Sequence, residues 1–87
     1  MHELRLAQDL VGKVDAVACE QGARRVVGVK ITLGALSGIS ADHFRRHFAE
    51  AARGTPVEGA RLETILGADV AAPNADSLQL ESIDIEE

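Results

Sequence analysis

Apolar residues recur at three- and four-residue spacing from the start of the chain. Leu4, Ala7, Val11, Val14 and Ala18 lie on one stripe that ends at Gln21, and Leu10 and Val17 widen it. That spacing predicts an amphipathic helix from about Glu3 to Gln21 with one buried face. Gly22 follows, a residue that takes left-handed backbone angles without steric cost and so ends a helix. The pattern then changes to period two. Val27, Val29, Ile31 and Leu33 alternate with Gly28, Lys30 and Thr32, which predicts a strand from Val26 to Leu33 with those four residues on one face. Gly34 to Ile39 is a glycine-punctuated connection. Ser40 occupies an N-cap position ahead of Ala41, Phe44, Phe48 and Ala51, so a second helix should run to about Arg53. Along it, Asp42, Arg46 and Glu50 stand four apart and read as a solvated face with weak ion pairs.

Gly54-Thr55-Pro56 stops that helix, because proline cannot continue it and the residue before proline avoids helical angles. A short strand from about Ala60 to Ile65 follows, then a loop from Leu66 to Ser77. The last segment, Leu78 to Ile85, is apolar at Leu78 and Leu80 in one phase and at Ile83 and Ile85 in the other. A β-bulge near Glu81-Ser82 would reconcile the two phases. The order helix-strand-helix-strand-strand predicts an α+β fold. Strand, helix and strand with short joints form a right-handed crossover, and the first helix joins the second on the same face of a three-stranded sheet.

Composition narrows the function. The 87 residues suffice for one small domain with a single core. The net charge of -5 is uneven: from Glu58 onward Arg61 is the only cation among eight acids. That tail disfavours nucleic acid, and the absence of Trp and Tyr leaves no stacking surface for single strands. No apolar run is long enough to span a membrane and the start lacks the layout of a secretory signal, so a cytoplasmic location is expected. Cys19 is the only cysteine, which excludes an internal disulfide and a cysteine zinc site within one chain, and it reads as a small buried residue. Catalysis is not indicated: the Gly34 to Gly38 loop lacks a phosphate-binding lysine, and Ser40 is more simply a helix cap than a nucleophile.

The chain start carries the one distinctive chemistry. In Met1-His2-Glu3 the terminal amine, the His2 amide nitrogen and the His2 imidazole can close fused chelate rings. Deprotonated amide nitrogens favour a square-planar ion, which means Ni(II) or Cu(II), and copper would bind the more tightly. The bulk of His2 should keep the initiator Met1 in place to supply the amine. Glu3 has a second role open to it, complementing the positive end of the helix dipole.

Met1-His2-Glu3, Gly34-Ala35-Leu36-Ser37-Gly38 before a helix, Gly54-Thr55-Pro56-Val57-Glu58-Gly59-Ala60-Arg61-Leu62-Glu63 and Leu80-Glu81-Ser82-Ile83 together resemble the HypA family of hydrogenase and urease nickel metallochaperones. The resemblance covers Met1 to about Ile65 and resumes at about Leu78. It implies a non-catalytic carrier in which Met1, His2 and Glu3 hold Ni(II). The implied partners are a nickel-delivery GTPase and the hydrogenase large subunit or urease accessory proteins. Family members insert a zinc module built on two Cys-x-x-Cys pairs between the last two strands. Here residues 66–77 stand in its place without cysteine, so residues 1–87 read as a single nickel-binding domain and no structural zinc is expected.

His43 and His47 lie four apart on the second helix, a spacing that presents two imidazoles on one face. Some family members carry an acid where this chain has Ser40. Asp42 or His43 could take over that function, as an outer ligand or as a hydrogen-bond acceptor for His2. The competing reading is two solvated histidines beside a buried face. A functional alternative also stands: a metal-independent interaction module that keeps the scaffold without metal delivery.

Overall fold

The computed structural model describes residues 3–86. It contains α1 (Glu3–Glu20), β1 (Arg25–Leu33), α2 (Ala41–Ala51), β2 (Arg61–Leu66) and β3 (Leu78–Glu86), the element order expected of the α+β fold. The sheet order is β2-β1-β3, with β1 parallel to β2 and antiparallel to β3.

α1 buries Ala7, Leu10, Val11, Val14 and Ala18. Leu4, which is 40% exposed, and the half-buried Val17 lie at the margins of that stripe. The helix ends in a Schellman arrangement. The amide of Ala23 donates to the Ala18 carbonyl at 3.0 Å, that of Gly22 donates to Cys19 at 3.1 Å, and Gly22 has φ 70°. Cys19 sits on this last turn and is exposed, contrary to the buried position expected of it. Its place on the helix is outside the apolar stripe, and position on the stripe outweighs residue type.

β1 departs from simple alternation. Its pairing with β3 runs Val26↔Ile85, Gly28↔Asp84, Val29↔Ile83, Lys30↔Ser82, Ile31↔Leu80 and Leu33↔Leu78. Val27 is therefore an extra residue on β1, and Glu81 an extra residue on β3. The Glu81 bulge is the expected one. The Val27 bulge is not: Val26 takes the inward place and is fully buried, whereas Val27 is turned out and 37% exposed. Each strand changes phase at its own bulge. The result is four apolar cross-strand pairs on one face, Val26–Ile85, Val29–Ile83, Ile31–Leu80 and Leu33–Leu78, which pack with both helices in one core.

Ser40 caps α2, its hydroxyl accepting from the His43 amide at 3.5 Å, and Phe44 and Phe48 are buried in the core that α2 shares with α1 and the sheet. The helix stops at Ala51, two residues before the expected end. The Thr55 hydroxyl donates to the Ala52 carbonyl at 2.7 Å, and Gly54 takes a φ of 76°. On α2, Asp42 pairs with Arg45 at 3.6 Å rather than with Arg46. Arg45 also donates to the Leu62 carbonyl at 3.3 Å, tying α2 to β2.

The opposite sheet face is a polar ladder. It carries Lys30–Glu63 at 3.5 Å, Arg25–Glu86 at 3.2 Å and a Thr32 hydroxyl donating to Glu81 at 3.0 Å. Exposed pairs of this kind contribute about 0–1 kcal/mol each.

Residues 67–77 form a compact loop held by backbone. Gly34 donates to Ser77 at 2.9 Å, Leu36 to Ala75 at 2.6 Å and Gly67 to Leu33 at 2.8 Å, while Ala75 is buried. A side chain at Gly34 would collide with the carbonyls of Ala75 and Asn74. Gly34→Ala should therefore lower the unfolding free energy by about 1–3 kcal/mol, as overpacking does. Gly12 on the exposed side of α1 has nothing near its missing Cβ. Gly12→Ala should raise stability by about 0.5–1 kcal/mol through helix propensity and unfolded-state entropy. Urea unfolding of the two variants beside the parent checks both signs.

Candidate metal centre

The topology gathers the described candidates Glu3, Asp42 and His43 at one end of the sheet. α1 turns tightly into β1, so it runs antiparallel to it, and the crossover through α2 to the parallel β2 sends α2 the same way. Both helices thus start at the end where β1 and β2 finish and β3 begins. Two shallow grooves at that end record the convergence. One brings Leu6 and Leu10 of α1 to Ile39, Asp76 and Leu78. The other sets Leu33 and Gly34 against Ile39, Leu66 and Gly67.

Glu3 opens α1, where its charge complements the helix dipole. The residue is half-buried, its Oε1 is shielded from solvent, and that oxygen has no hydrogen-bond partner among the described residues. A shielded carboxylate oxygen without a partner is costly unless something pairs with it. The position directly follows Met1 and His2, which lie outside the described residues.

Asp42 and His43 sit in the first turn of α2, at the same end of the domain. The Asp42 carboxylate is engaged by Arg45, its side chain is 91% exposed, and His43 is exposed. His47, one turn further, is half-buried. Among the described residues no three of His, Cys, Asp and Glu converge on a point that could hold a metal ion. The structure brings Glu3, Asp42 and His43 to one end of the fold without joining them in a single ligand cluster.

Sequence reading missed the apolar surroundings of this end. Leu36 is 58% exposed in the β1–α2 connection, Leu66 is 67% exposed at the end of β2, and Val70 is 62% exposed in the loop. Their positions in segments read as connections hid them, because periodicity says nothing about a side chain outside a regular element. All three lie in connections or at a strand terminus at the end of the sheet where β1 and β2 finish. Among the described residues no helix is long and apolar enough to cross a membrane.

The family model described as hydrogenase/urease nickel incorporation, metallochaperone, HypA, matches residues 1–72. A hydrogenase maturation factor HypA of Chloroflexus aurantiacus is 45% identical over 62 residues, covering 71% of this chain and 54% of that protein. The HypA of Chlorobium limicola is 43% identical over 63 residues, covering 72% and 54%. The chain spans about half the length of these curated relatives. The solution structure of the Ni metallochaperone HypA from Helicobacter pylori superposes with a TM-score of 0.83, covering 99% of this chain and 98% of that one. At 14% identity this likeness speaks for the fold alone. A match that begins at residue 1 and runs through both helices and the two parallel strands settles the family: the chain belongs to the HypA family of nickel-incorporation metallochaperones.

Proposed function

We propose that this protein is a nickel carrier that holds Ni(II) at Met1-His2-Glu3 and hands it on during maturation of hydrogenase, and in some organisms urease. The observation that carries the reading is the family match starting at residue 1, which includes the tripeptide able to close a planar chelate. The amine, the His2 amide and the His2 imidazole supply nitrogen donors, and the Glu3 amide can add another. The Glu3 carboxylate, partly shielded at the start of α1, supports the reading as a group that orients the chelate or faces a partner.

In this reading residues 66–77 close the gap between β2 and β3 without a zinc module, and residues 1–87 act as one nickel-binding domain. The loop's backbone bonds to Gly34, Leu36 and Leu33 support a domain that folds without structural zinc. Asp42 or His43, in the first turn of α2, would assist His2 from outside the chelate, as an outer ligand or a hydrogen-bond acceptor. The partners are a nickel-delivery GTPase and the hydrogenase large subunit or urease accessory proteins, in the cytoplasm. Exposed Leu36, Leu66 and Val70, at the end of the domain where α1 starts, suit a docking surface for such a partner. Those same residues favour the second reading, an interaction module that docks a partner through this end without carrying metal.

Titration of Ni(II) into protein whose first residue is Met1 separates the two. One equivalent with a square-planar visible band is expected, and its affinity rises with pH because the amine and amides must lose protons to bind. His2→Ala and an extension of several residues at the start should each abolish the band. A single added residue is unsuitable, since it makes the histidine third and creates another amine-amide-imidazole chelate. Absence of binding in the parent protein would leave the interaction module standing. His43→Ala should weaken Ni(II) binding if His43 assists His2, and unchanged affinity would remove that role.

A further inference from the structure

α2 carries His43 and His47 four residues apart. On a helix this spacing places two side chains on one stripe with Cβ atoms roughly 5–6 Å apart, the arrangement by which paired imidazoles share a metal ion. The pair lies beside the Phe44 and Phe48 face rather than within it: His43 is exposed and His47 half-buried. Neither imidazole takes part in a hydrogen bond or an ion pair among the described residues, and the adjacent Asp42 carboxylate is drawn to Arg45. Both rings are therefore uncommitted.

We infer that His43 and His47 form a second transition-metal site, open to solvent and separate from the chain start, for a borderline divalent ion of the Ni(II), Cu(II) and Zn(II) class. Imidazole nitrogen suits these ions and not Mg(II) or Ca(II), which prefer oxygen. Among the described residues no third His, Cys, Asp or Glu completes the set, so water fills the other positions and the ion exchanges freely. Arg46 follows His43 by three residues and Glu50 follows His47 by three, so one cation and one anion flank the pair and their fields offset each other. A two-ligand site with exchangeable water is suited to taking up an ion briefly rather than to stabilising the fold.

The test uses the full chain, free of any histidine tag, with His2→Ala and several added residues at its start. His43 and His47 are then the only imidazoles, since the sequence has three histidines. Cu(II) is the probe, followed by calorimetry and by electron paramagnetic resonance, which reports coordinated nitrogen. One equivalent with two imidazole nitrogens is expected. Replacing either histidine by alanine should weaken binding roughly a hundredfold, because the second imidazole acts at the high effective concentration of a tethered ligand. The combination His47→Ala with Ala49→His keeps two histidines but sets them six residues apart on different faces of α2, and it should behave like the single variants. Circular dichroism should show the helix content unchanged throughout. No Cu(II) uptake, uptake indifferent to His43→Ala, or recovery with the displaced histidine would each overturn the inference. Because the measurement is made without the chain-start chelate, the fate of that chelate does not affect the outcome.

Discussion

The pairing of β1 with β3 is the constraint on which the rest of the structure depends. β1 is the central strand, and its inward residues supply the floor on which both helices rest. A strand with period-two side chains cannot place Val26 and Val29 on the same face unless one residue between them is extra. The same holds for Leu80 and Ile83 on β3. Bulges at Val27 and Glu81 supply those residues, one on each strand, so the apolar pairs stay opposed along the whole ladder. A single bulge without the other would rotate half of one strand's apolar side chains into the polar face.

The two helices then fix where chemistry can occur. Tight connections make both helices run against β1, and this delivers their first turns, the glycine-rich connection and the 67–77 loop to one end of the sheet. Gly34 is the joint of that end. Its missing side chain lets the carbonyls of Asn74 and Ala75 approach, and its amide holds Ser77, so the loop closes against the end of β1 instead of hanging free.

Much of the fold was legible in the sequence because local signals agreed with global packing. Ser40 caps α2, Gly22 ends α1, and the change of phase between Leu80 and Ile83 marks a bulge that exists. The Val27 bulge was hidden for a specific reason: Val27, Val29, Ile31 and Leu33 already form an unbroken alternation, and nothing local says that Val26 is preferred inside. Cys19 shows the weakness of residue-type averages, since its place off the stripe puts it in solvent. The partner of Asp42 was misread because i,i+3 and i,i+4 pairs are both available, and Arg45 is held by Leu62 as well. The chain-start chelate stays an expectation drawn from the chemistry of Met1-His2-Glu3, whereas the shielded Glu3 oxygen and the exposed Leu36, Leu66 and Val70 are properties of the folded surface.

The common direction of the two helices has an electrostatic meaning for any cation handled at that end. Each helix start carries about half a positive charge on its unpaired amides, and here two such starts face the same way. A divalent ion held there would meet these two positive helix ends, set against the carboxylates of Glu3 and of Asp76 in the adjoining groove. On the proposed function, grip at this end would come from directional nitrogen bonds and not from a field that attracts cations in general. A carrier built in that way would pass over the abundant hard ions of its surroundings, and it would give up its ion only as protons or a competing ligand displaced those nitrogens.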